Sequence, residues 1–121
     1  ACAGHKLPLV RFDATEKLVR LVQPGGIALG FDKGPIFDRG LEVVKVPLAP
    51  GDRLVLGTTG PVQVTNPEGE ELGEKRFYKL VARSSRDEPK VMLDQILTAV
   101  EAFAGDEEFP ADLTLVALAR D

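Results

Sequence analysis

Apolar positions along this chain recur at two different periods, one helical and one extended. Between Pro89 and Ala104, the residues Met92, Ile96, Val100 and Phe103 fall on one stripe, which Leu93 and Leu97 widen. Asp94, Gln95, Thr98 and Glu101 take the other side. This spacing predicts a helix over Pro89–Ala104, with Asp87 at its N-cap and Gly105 at its C-terminal cap. A shorter stripe of Phe77, Leu80 and Val81 predicts a helix over Glu74–Ala82. Short apolar runs bounded by turn formers predict strands near Leu7–Phe12, Lys17–Val22, Leu41–Leu48, Arg53–Gly57 and Leu113–Ala119. The last run is apolar on both faces, with Leu113, Leu115 and Ala117 on one and Val116 and Leu118 on the other. A strand of that kind is expected deep in a sheet covered on both sides.

Turn chemistry orders these elements. Gly51-Asp52 turns the chain into Arg53–Gly57, Thr58-Thr59-Gly60-Pro61 ends that strand in a tight bend, and Asn66-Pro67-Glu68-Gly69 makes a second turn. The order is mostly strands, then helices, then one strand. It predicts an α+β domain in which antiparallel sheets pack together with helices outside. No internal repeat or linker interrupts it.

At 121 residues, 44% hydrophobic and 28% charged, the chain has the size of one globular domain. Its net charge of −4 argues against a nucleic-acid-binding surface, which needs clustered Lys and Arg. Lys75, Arg76, Lys79, Arg83 and Arg86 do gather around one predicted helix. A solvated face is the expected reading there, ahead of an anion or phosphopeptide patch. The single cysteine, Cys2, forms no internal disulfide, and no second cysteine or histidine cluster offers a zinc site, so cytoplasmic residence is expected. No apolar stretch approaches the roughly 20 residues that span a bilayer, so no membrane contact is expected of this segment.

Five sequence landmarks then occur in a recognisable order. They are Ala3-Gly4-His5 with Pro8, Gly26-Ile27-Ala28-Leu29-Gly30, Pro50-Gly51-Asp52-Arg53-Leu54, Asn66-Pro67-Glu68-Gly69-Glu70 with Gly73, and Ala111-Asp112-Leu113-Thr114-Leu115. Together they resemble the C-terminal half of the bacterial type 2C serine phosphatases of the stage II sporulation protein E class, which regulate sigma factors. Cys2 stands where that family usually has asparagine, and Ala28 where it has proline. The resemblance implies an antiparallel β-sandwich flanked by helices. It also implies that residues 1–121 are the C-terminal part of a single phosphatase-like domain, beginning inside a strand. Exposed sheet edges and apolar faces are then expected to find a partner, through homo-oligomers among other routes.

The departures from the family pattern fall where its chemistry is done. The family hydrolyses phosphoserine or phosphothreonine with water activated between two magnesium or manganese ions, which demand clustered carboxylate oxygens. Its Thr-Asp-Gly turn supplies a metal-binding aspartate, whereas Thr58-Thr59-Gly60 offers the neutral Thr59. Its closing strand begins with two aspartates, the first a ligand, and here Ala111 takes that place while Asp112 remains as the one candidate for a residual ligand. Gln63 replaces a usual glutamate, and Pro61 a common valine. The expectation is therefore a degenerate module with no bound metal, binding a protein partner or phosphoprotein in place of hydrolysing it. The alternatives are an active phosphatase with an altered metal shell and a structural or dimerisation domain.

Other candidate residues carry plainer readings. His5 is the only histidine and has no nucleophile beside it in a motif, so it is expected to order its turn. Pro24-Gly25-Gly26 with Gly30 lacks the features of a phosphate loop or dinucleotide fingerprint and reads as a bent hairpin loop. Asp106, Glu107 and Glu108 lack the alternating ligands of a calcium loop and are expected in solvent. Asp112 itself also reads as a strand-start residue capping the turn after Pro110.

Overall fold

The structure is a computed structural model that describes residues 1–121. Its elements are β1 (Leu9–Asp13), β2 (Leu18–Val22), α1 (Pro35–Gly40), β3 (Arg53–Gly57), α2 (Gly60–Gln63), α3 (Gly73–Ser84), α4 (Pro89–Ala104) and β4 (Leu115–Ala119). The strands form one antiparallel sheet in the order β2-β1-β3-β4. A tight turn makes the first hairpin, where Asp13 Oδ1 accepts hydrogen bonds from the amides of Thr15 and Glu16, both at 3.0 Å.

Register places the core. Val10 lies opposite Val55, and Val55 opposite Ala117, so alternate side chains of three strands share one face. Helices α3 and α4 cover that face with Phe77, Val81, Met92, Ile96 and Val100, all fully buried together with Val10 and Val55. These are the apolar stripes that the sequence spacing marks out, and burying them is what makes the amphipathic segments helical.

Four expectations need correction. Leu41–Leu48 is not a strand. Pro47 lacks a donor for a ladder, and Val44 and Val46 instead border a cavity with Leu9, Val22 and Leu56, beside the sheet face turned away from the helices. The closing strand is not covered on both sides within this chain. It is an edge strand paired with β3 alone, and Val116 and Leu118 are 48% and 51% exposed, because the helices lie on the other face. Asp87 is not the N-cap of α4. Pro89 occupies the first turn and holds Glu88 extended as the cap, while the Asp87 amide donates to Ser84 O at the end of α3. The glycine-rich segment runs without a hairpin into the unforeseen α1, whose start is held by Asp32 Oδ2 accepting from the amides of Gly34 and Ile36. Gly105 does close α4, with φ of 62°.

One buried charge joins these parts. Asp52 is fully buried, and its Oδ2 accepts from Arg11 Nη2 at 2.8 Å, Arg11 Nε at 3.2 Å and the Ala49 amide at 3.0 Å. Its Oδ1 accepts from the Ala14 amide at 3.0 Å. Burial pushes the Asp52 pKa up, but the two amides and the Arg11 guanidinium outweigh it and hold the carboxyl down at about 2.

Because the folded pKa lies below the unfolded one, this stabilisation is present above the ordinary aspartate range near pH 4. It is lost as pH falls toward 2. We expect Asp52→Ala to cost about 3 kcal/mol in urea unfolding at pH 7, the scale seen when one partner of a buried ion pair is removed. The difference between variant and parent should shrink as the pH approaches 2, and a constant difference would assign the loss to packing.

Candidate functional site

The site forms where β3 ends. Gly57 pairs with Leu115, and this register carries the next residues of both segments into contact. The Thr58 amide donates to Thr114 O at 3.0 Å, Thr58 Oγ1 donates to Asp112 O at 3.2 Å, and the same hydroxyl accepts from the Thr114 amide at 3.1 Å. Gly60 approaches so closely that a Cβ there would stand 2.3 Å from Asp112 O. Thr59, half-buried, lies between these contacts, and its carbonyl accepts from the amides of Val62 and Gln63 to start α2.

The N-terminal segment meets the same strand end. Gly4, His5, Lys6 and Leu7 line a cleft of about 240 Å³ with Gly57, Thr58 and Thr59. Gly4 has φ of 99° and sits against Ala28, where an added Cβ would come within 2.9 Å of the Ala28 Cβ. Three segments far apart in sequence therefore converge: the Ala3-Gly4-His5 motif, the loop holding Ala28, and Thr58-Thr59-Gly60. The His5 carbonyl accepts from Cys2 Sγ at 3.3 Å, so ordering of this turn runs through the main chain of His5 while its side chain stays exposed.

The sequence-marked positions divide accordingly. Gly4, His5 and Thr59 share the cleft, and Gly60 packs on the adjoining Asp112 main chain. Ala111 and Asp112 are exposed, Asp112 enters through its carbonyl, and its carboxylate is not among the cleft-lining groups. Gln63 is exposed at the last position of α2. Lys6 is a cleft residue that the motifs did not single out, and Thr58 is one whose motif gave it no role. Lys6 directly follows the Ala-Gly-His motif, which is the one signal that could have found it.

A divalent cation of the magnesium or manganese kind requires several oxygen ligands, carboxylates foremost. No three His, Cys, Asp or Glu side chains of this chain come together in a metal-binding group. The cleft offers an imidazole, an ammonium and hydroxyls, and that donor set does not fit such an ion. Elsewhere, Lys75, Arg76, Lys79, Arg83 and Arg86 are exposed along α3 and the turn after it, and Arg76 lies over the Phe103 ring at 5.2 Å while donating to Glu71 O. Asp106, Glu107 and Glu108 are exposed after α4. No helix is long and apolar enough to cross a membrane.

Solved structures share this fold. The SiaA-PP2C domain of Pseudomonas aeruginosa superposes with a TM-score of 0.79 at 24% identity, over 98% of this chain and 45% of that one. The RsbU and RsbW domains of Rv1364c from Mycobacterium tuberculosis give 0.65 at 25% identity, over 98% of this chain and 30% of that one. The PP2C phosphatase domain of SpoIIE from Bacillus subtilis, solved with a fragment of its regulatory domain, gives 0.65 at 19% identity, over 93% and 31%. The chain thus spans less than half the length of these structures, and the class they define is an α+β phosphatase fold of the PP2C type, represented here in part. A sequence model of the stage II sporulation protein E (SpoIIE) family matches residues 1–121, and the chain belongs to that family. No curated protein matches it.

The contact between Gly60 and Asp112 O is testable. Gly60→Ala should force the two loops apart at a cost of roughly 1–3 kcal/mol, the usual scale of overpacking. Amide signals of residues 112–114 should shift more than those of α4, and an unperturbed 112–114 segment would contradict the contact.

Proposed function

We propose that this chain is a degenerate module of the phosphatase fold, which binds or regulates a protein partner and does not hydrolyse phosphate esters. One observation carries the reading. The loop around Thr59 is hydrogen-bonded to the segment that follows Ala111, and both positions are neutral where the family resemblance calls for metal-binding aspartates. A two-ion site depends on clustered carboxylate oxygens, and this junction supplies none from positions 59 and 111. A bacterial signalling role, regulation of sigma factors and cytoplasmic residence accompany this proposal through the family. The alternative is a metal-dependent serine/threonine phosphatase with an altered shell, in which Asp112 acts with acids outside this chain.

Restoring the carboxylates separates the two. Thr59→Asp with Ala111→Asp should lower stability without metal, through repulsion between the new charges, and manganese should then raise the melting temperature by roughly 5 °C. The parent chain should show no such rise. A micromolar manganese site in the parent that Asp112→Asn abolishes, together with phosphate release from a phosphopeptide, would decide for the altered shell.

A second reading, assembly through the sheet, is favoured by a specific observation. Strand β4 is an unpaired edge with the sequence LVALA and no charge to discourage pairing, and Val116 and Leu118 extend its exposed apolar face. Light scattering should show mass rising with concentration, and Leu118→Lys should keep the chain monomeric. A monomer at all concentrations would remove this reading.

A further inference from the structure

The cleft at the end of β3 carries the opposite charge from the one its family chemistry would need. Among its lining residues the ionisable side chains are His5 and Lys6, both exposed, with no carboxylate. The backbone amides of Gly4, His5, Lys6 and Thr59 donate to no acceptor within the chain. Thr58 has its hydroxyl engaged by Asp112 O and the Thr114 amide, which leaves the Thr59 hydroxyl as the free one. The carbonyls of His5 and Lys6, by contrast, are taken by Cys2 Sγ and by Gln23 Nε2 at 3.0 Å. Residues that carry one ammonium, one imidazole, one free hydroxyl and four unpaired amides therefore line a single recess. At about 240 Å³ it is large against the roughly 30 Å³ that a water molecule occupies in the liquid.

We propose that this cleft binds a phosphoryl dianion directly, without a metal ion. The proposal rests on the reading of the chain as a non-hydrolytic binding module, and it assigns the ligand chemistry of that module. An aspartate at position 59 would repel a phosphoryl group unless cations stood between them, whereas threonine removes the repulsion and adds a donor. Lys6 supplies the compensating charge as a mobile ammonium, and the unpaired amides supply short donors of the kind that cradle phosphate oxygens. Gly4 lets the main chain reach the cleft wall, because its missing side chain is already needed by the packing on Ala28. The substitution at Thr59 thus changes the sign of the ligand the site prefers.

The test is amide NMR of the protein in EDTA, titrated with a phosphoserine peptide, its unphosphorylated counterpart and inorganic phosphate. Signals of Gly4, His5, Lys6 and Thr59 should move with the phosphorylated peptide and stay in place with the unphosphorylated one. Lys6→Ala should weaken binding about tenfold, and Thr59→Asp in EDTA at least as much. Both positions lie outside the buried core, and an unchanged melting temperature confirms that these variants fold. Tighter binding of the peptide than of inorganic phosphate identifies a monoester as the ligand, and equal binding identifies the free ion. Binding that disappears in EDTA and returns with manganese would overturn the proposal. So would shifts confined to Arg76, Lys79 and Arg83, or no shifts at all. Hydrolysis of the peptide with manganese would sink the non-hydrolytic reading but leave EDTA-resistant binding in this cleft intact, so the two failures are distinct.

Discussion

The fully buried carboxylate of Asp52 is the constraint from which the rest of the structure follows. It accepts from a guanidinium on β1, from the amide just beyond β1 and from the amide of Ala49 ahead of β3, so it fixes how β3 enters beside β1. The Gly51 amide and the Asp52 carbonyl also exchange hydrogen bonds with Arg120, at 2.8 and 3.2 Å, which ties the end of β4 to the same point. A charge taken out of water demands nearly complete satisfaction, and here the end of β1 must meet the turn before β3 to provide it. Few alternative registers would meet that demand. Once β3 is entered in this register, its far end must present Thr58 to Thr114, and the cleft with Lys6 and Thr59 is assembled as a consequence.

The two long helices and the three strands β1, β2 and β3 are legible in the sequence because local spacing and tertiary burial agree there. Phe77, Val81, Met92, Ile96 and Val100 are apolar at helical intervals and are the residues that the sheet buries. Where local pattern and context diverge, the sequence misleads. Leu41–Leu48 has strand composition, but no sheet edge receives it, and its valines border a cavity beside a sheet face. Helix α1 is invisible to periodicity because at six residues it buries nothing, and the carboxylate of Asp32 starts it. The displacement of the α4 cap from Asp87 to Glu88 follows from proline's grip on its predecessor, a stronger term than cap preference.

The site divides in a similar way. Thr59, Gly60 and Asp112 are visible through their motifs, and in the structure the Thr58–Gly60 bend meets the segment that leads into the closing strand. Apart from its place after the Ala-Gly-His motif, nothing in the linear sequence sets Lys6 beside Thr59. That neighbourhood exists only through strand register. The charge of the cleft is likewise unreadable, since the acids nearest in sequence, Asp13 and Asp52, are engaged by other partners. A net charge of −4 for the whole chain says nothing about a recess lined by one ammonium and one imidazole.

Stability and chemistry occupy opposite ends of one strand. Asp52 lies just before β3 and Thr58 just after it, with the five strand residues between them, or about 20 Å at the usual rise. The residues at positions 59 and 111 therefore act independently of the buried ion pair, and as neutral groups they do not repel one another as two carboxylates there would. A junction with neutral residues at these two positions carries no carboxylate repulsion for a cation to relieve. The recess at that strand end is lined by hydrogen-bond donors with no carboxylate among its lining residues.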